Sequence, residues 1–174
     1  MIILIFLVNN MKSLFLKTIL VLNLFFLYNC KAQTANDYIA FYNDVVPKLN
    51  TIVPNKTQFY GQNFSNFYNE LQNKNVSIMM LNYDTKSDNH IKYFVLDLYL
   101  SDISMWSVAS KNDFQYPWIS ITFENEIPNQ IKSMVEQSNS KWNNTFEQFF
   151  SNMKIEKIKC VVVRGYDNPD FSGK

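Results

Sequence analysis

Residues 91–100 restrict the fold more than any other stretch of this 174-residue chain. Phe94, Leu96, Leu98 and Leu100 alternate with Tyr93, Val95, Asp97 and Tyr99, the period of a β-strand. A strand this apolar needs cover on one face and paired strands on its flanks. Residues 76–83 are also β-like, and the polar link from Asp84 to His90 joins the two as a hairpin. Residues 117–123 add a strand with Ile119, Ile121 and Phe123 inward and Ser120 and Thr122 outward. Residues 155–164 close the series, with Ile158, Cys160 and Val162 on one face. Residues 103–109 read as a further short strand.

Helical spacing supplies the cover. Tyr38, Phe41, Tyr42, Val45, Val46 and Leu49 form one stripe, expected to end or kink near Val46 because Pro47 follows. Residues 50–61, with Pro54 and Gly61, read as a loop. Ser65 is expected to cap a short helix with Phe67, Tyr68 and Leu71 inward. Ile127, Ile131, Met134 and Val135 make an i, i+4, i+7, i+8 stripe, with Pro128 in its first turn. Ser140 is expected to cap the stripe of Trp142, Phe146, Phe149, Phe150 and Met153. The expectation is a single α+β domain in the order α-α-β-β-(β)-β-α-α-β. Its mostly antiparallel sheet has about four strands, with helices packed on one face.

The first thirty residues follow other rules. Residues 11–17 carry Lys12 and Lys17, and residues 18–28 are apolar and about a dozen long, the plan of a signal peptide and short of the ~20 residues that span a bilayer. Residues 1–10 carry no charge and fit this plan poorly, so Met11 is the expected start. Leu27-Tyr28-Asn29-Cys30 resembles the lipobox of bacterial lipoproteins, in which Leu stands three residues before a cysteine that is acylated. The resemblance implies lipid on Cys30 and a membrane tether, and implies no activity. Secretory cleavage after Ala32, and an uncleaved anchor, remain alternatives. The divisions are then 1–29 signal peptide, 30–36 lipidated tether, 37–166 globular domain and 167–174 polar tail. The protein is expected in the cell envelope of a bacterium, facing the periplasm or the outside; secretion is the alternative.

The formal net charge of +1 falls to near −1 without Lys12 and Lys17, and there is one arginine, Arg164. With no basic run, nucleic acid is not an expected partner. The composition favours Phe, Tyr, Asn, Ile and Lys, residues of AT-rich codons, so the 16% aromatic content is not itself a recognition signal. Cys30 and Cys160 are the two cysteines, and either processing route leaves Cys160 without a disulfide mate.

Few side chains suggest chemistry. His90 is the sole histidine, too little for a histidine metal site and enough for a general base. Asp84, Lys86 and Asp88 are spaced like a calcium loop, yet Asn89 replaces its glycine and Val95 its bidentate glutamate. Cys160, on an apolar face, reads as a buried inert thiol. Glu124 and Glu126 are expected to sit by a helix start, where acids favour the dipole. Asp97 is the anomaly, an acid in an apolar strand. It needs a partner such as Arg164, Lys157 or Lys159 if covered. If open, it joins Tyr93 and Tyr99 in an exposed strip. Trp106, Tyr116 and Trp118 flank a polar loop expected over Ser107 to Gln115 and are further candidates for a recognition surface. No catalytic set, metal site or cofactor site is expected. The function expected is a non-catalytic interaction module, immunity-type in one form, with a membrane contact through Cys30 lipid and one protein partner. A small-ligand or lipid carrier is the first alternative and a secreted hydrolase the second.

Overall fold

A computed structural model describes residues 17–18, 33–86 and 92–161. The chain divides into two compact units, Met1–Gln33 and Thr34–Lys174. The second is an α+β domain whose four strands form one antiparallel sheet in the order β1-β2-β3-β4. The strands are β1 (Met80–Thr85), β2 (Tyr93–Tyr99), β3 (Trp118–Phe123) and β4 (Ile155–Val161). The helices are α1 (Ala35–Ile52), a 3₁₀ segment (Val53–Phe59), α2 (Phe64–Asn73), α3 (Ile103–Lys111), α4 (Ile131–Ser138) and α5 (Asn144–Phe150).

Helix α1 starts at a capping box: the Thr34 hydroxyl accepts from the Asp37 amide, and the Asp37 carboxylate accepts from the Thr34 amide. It runs through Pro47 instead of stopping there. An internal proline costs about 3 kcal/mol, and burying Leu49 and Ile52 beyond it returns about 1.5–3 kcal/mol each. Residues 53–59 are likewise a 3₁₀ helix and not a loop, with Pro54 in the first turn, where no amide is missed, and Phe59 buried. Gly61 has φ +73°, a conformation that disfavours any side chain, and its amide donates to the Ile155 carbonyl at 2.7 Å.

Caps move by a few residues from their expected places. Helix α2 begins after Asn63, and its first amides, on Phe64 and Ser65, donate to the carbonyls of Met153 and Ser151. The turn after α5 therefore does the work expected of the Ser65 side chain. Helix α5 is capped by Asn143, which accepts from the Thr145 amide at 2.9 Å; Ser140 lies outside it in a left-handed turn. Helix α4 begins only at Ile131, so Ile127 is buried ahead of it and Glu124 and Glu126 are not in its first turn.

Residues 103–109 are helix, not strand. The Asp102 carboxylate accepts from the amides of Ser104 and Met105, both at 3.0 Å, and fixes the first turn. Met105, Val108 and Ala109, at i, i+3 and i+4, then face inward together.

One sheet face carries Leu81, Leu96, Leu98, Ile119, Ile121, Phe123, Ile158 and Cys160. The 3₁₀ segment, α2, α4, α5 and the second half of α1 pack on it. Helix α3 departs from the one-face expectation. With Tyr38 of α1, it closes a second cluster that includes Tyr99 and Trp118 from the opposite face. Cys160 is buried, and burial pushes its thiol up to about 11. Native protein at neutral pH is expected to resist a thiol reagent for hours and to react within minutes in denaturant, read by mass.

Candidate functional site

The open face of the sheet is built from rows of cross-strand neighbours. The row next to α3 is Met80, Tyr99, Trp118 and Val161. The next is Asn82, Asp97, Ser120 and Lys159, and the third is Asp84, Val95, Thr122 and Lys157. Asp97 is thus flanked by a hydroxyl and an amide, while the two lysines stand at the far edge strand. Two strand spacings of about 4.8 Å separate Asp97 from Lys159. The expected ion pair with Lys157 or Lys159 does not form among the described residues; Arg164 lies outside them.

A β-bulge ends the open strip. Asp84 pairs with Val95 but Thr85 pairs with Tyr93, so Phe94 is an extra residue. Tyr93 is thereby turned to the helix-covered side. It packs edge-on against Tyr83 at 4.7 Å, beneath the Lys132 ammonium of α4. Phe94 takes the open side, with the Lys86 ammonium 4.9 Å above its ring. Tyr93 therefore does not join Asp97 and Tyr99, a correction to the simple alternation. Lys86 also pairs with Glu156, so it is not placed as a calcium-loop residue. Asp84 is exposed and accepts from the Thr85 amide at 2.6 Å. Glu126 pairs with Lys92 at 3.6 Å.

Where α3 meets the sheet there is a groove of about 320 Å³, lined by Met80, Asn82, Tyr99, Ile103, Trp106 and Tyr116 and closed at the β1 edge by Ser140. Three of the expected recognition residues, Tyr99, Trp106 and Tyr116, meet here. Trp118 lies behind Tyr99 in the second cluster, and Asp97 lies one row further along. Ile103, Met80, Asn82 and Ser140 were not foreseen. Recognising Asp102 as a helix cap would have placed Ile103 beside Trp106. Ile103 and Trp106 remain 64% and 45% exposed, and Met79 46%, the three large apolar side chains most open to solvent among the described residues.

The groove sits in a negative field. Burial first, then the Asp97 carboxylate, Tyr116 and Asp84, raises the Tyr99 hydroxyl above its ordinary range. Burial also raises Tyr116; the Ser101 hydroxyl, 3.0 Å away, works against the rise, and Asp102 adds to it. Asp97 itself is raised by burial, opposed by its Ser120 hydrogen bond and reinforced by Asp84. A carboxyl whose folded pKa lies above the unfolded one penalises the fold as pH rises through the folded value. At neutral pH, Asp97→Asn is expected to raise Tm, because it removes a carboxylate whose ionisation burial opposes. The gain should vanish in acid, where the native side chain is also neutral; melting curves at both pH values check it.

Among the described residues, no group of three His, Cys, Asp or Glu side chains is placed to hold a metal ion. His90, Asp88, Asn89 and Cys30 lie outside the described residues. No helix among the described residues is long and apolar enough to cross a membrane. No family model, no curated protein and no solved structure matches this chain.

Proposed function

We propose that the protein is a small cell-envelope lipoprotein, tethered through Cys30, whose domain binds a protein partner and does no chemistry. The observation that carries the binding reading is the groove with Trp106 and Ile103 exposed on its rim beside Tyr99. Large exposed apolar side chains around a concavity are the usual mark of an interaction site. An immunity-type role, in which the tethered domain blocks an incoming toxin, is one form of this reading.

The carrier alternative gains little support. Phe64, Phe67, Phe146 and Phe150 are buried between helices and sheet and pack ring against ring, the arrangement of a filled core. The surface groove is at the bottom of the ~300–1,000 Å³ range of small-molecule sites.

The tether is tested by the intact mass of the mature N-terminus from native membranes. A chain that begins at Cys30 with added acyl mass is expected. A chain that begins at Gln33 without lipid would replace the lipoprotein with a secreted protein.

A further inference from the structure

We infer that the groove between α3 and β1 receives an extended segment of a protein partner, one that carries a large apolar side chain with a lysine or arginine close beside it. This rests on the interaction-module reading and adds the chemistry of the partner. The floor and rim of the groove (Met80, Tyr99, Ile103, Trp106) are apolar and have room for about one large side chain, so an apolar anchor fits and a whole small molecule would stay largely in water. The flank is acidic. Asp97 and Asp84 stand in the next two rows of the open face, and Asp102 caps the helix that supplies Ile103 and Trp106. All three carboxylates act on the groove's own tyrosines, Asp97 and Asp84 on Tyr99 and Asp102 on Tyr116. Of the cations of the face, Lys86 is paired with Glu156, and Lys157 and Lys159 belong to β4 at the other edge. Lys141, bridged to Met80, stands at the rim opposite these acids. Among the described residues neither Asp97 nor Asp84 has an ion-pair partner, Lys86 being held by Glu156, which favours a cationic neighbour for the anchor. Rows along the strand are two residues apart, so an extended segment that seats its anchor over Tyr99 brings its next same-side residue over Asp97.

The test is selection of displayed random dodecapeptides on the full chain in detergent, followed by titration of the enriched synthetic peptides. Enrichment of an aromatic or aliphatic residue within two positions of Lys or Arg is expected. Trp106→Ala is expected to weaken those peptides about 30-fold or more. Asp97→Asn is expected to weaken them about three- to ten-fold and to flatten their dependence on NaCl. A melting curve of Asp97→Asn no lower than the parent's excludes unfolding as the cause of its loss of binding. Enriched peptides that lack a basic residue, or that bind Trp106→Ala as tightly as the parent, would overturn the inference. Binding of phenethylammonium as tight as that of the peptides would also overturn it, in favour of a small organic cation. A photoactivatable residue in place of Ile103, compared with one in place of Glu136 on α4, separates the two levels of the proposal in envelope extracts. Protein adducts at Glu136 and none at Ile103 would overturn the groove and leave the interaction module standing. Adducts at neither position would count against both.

Discussion

Phe150→Ala is expected to remove about 3–5 kcal/mol, a large share of the ~5–15 kcal/mol that holds a domain together. Phe150 is fully buried and is the hub of the aromatic core. It stacks on Phe123 of β3 at 5.6 Å and on Trp142 at 6.4 Å, and meets Phe64 at 6.0 Å and Phe149 at 4.9 Å more nearly edge-on. These partners belong to α2, the turn before α5, α5 itself and the sheet, so the ring ties the helices to the sheet. Truncation loses both the transfer energy of the ring and the contacts of the walls that cannot collapse. A urea melt should show a lower midpoint with an unchanged slope. Phe150→Leu, which keeps most of the volume, should cost clearly less.

Tyr38→Ala is expected to cost nearly as much, about 3–4 kcal/mol, although Tyr38 lies outside the main core. Its ring is buried and stacks on Phe114 at 5.5 Å, and its hydroxyl donates to the Gln115 carbonyl. It is the pin between the start of α1 and the loop that leads from α3 to β3. Tyr38→Phe keeps the ring and is expected to cost about 1 kcal/mol, the net worth of one hydrogen bond. The phenol is pushed well above its ordinary range, by burial first and then by Tyr116 and Tyr42. Stability owed to this group is therefore complete below the unfolded value of about 10 and is lost as pH rises above it, because the unfolded chain sheds the proton and the folded one does not. Tyr38→Phe should flatten the decline of Tm in alkali.

The strands were the legible part of this chain, because each central strand has one covered face and so keeps strict alternation. Leu96, Leu98, Ile119, Ile121 and Ile158 all point where their spacing says. Alternation failed at two bulges, one at Glu156 in β4 and one at Tyr93 and Phe94. An inserted residue in a strand leaves no compositional mark, and Tyr93 and Phe94 are both aromatic. Helix ends were less legible. Asn63, Asn143 and Ser140 compete in a chain full of potential caps, and in α2 the carbonyls of Ser151 and Met153, distant in sequence, replace the side chain. Residues 103–109 misled because Ile103, Trp106 and Val108 are good strand formers; the Asp102 cap decides the outcome. The site was half legible. Tyr99, Trp106 and Tyr116 stood out as large aromatics, but their convergence depends on α3 folding back over the open face. Only tertiary structure supplies that.

The outer rims of the sheet have a consequence for life at high local concentration. On β1, Leu81 donates to the Ser140 carbonyl and Met79 accepts from the Trp142 amide. On β4, Ile155 exchanges backbone bonds with Gln62 and Gly61. Each border strand thus begins already occupied by a short non-strand segment of its own chain. A neighbouring copy that tried to zip on as a fifth strand would first have to displace those bonds. Edge-to-edge pairing along the full length of either border strand is thereby opposed.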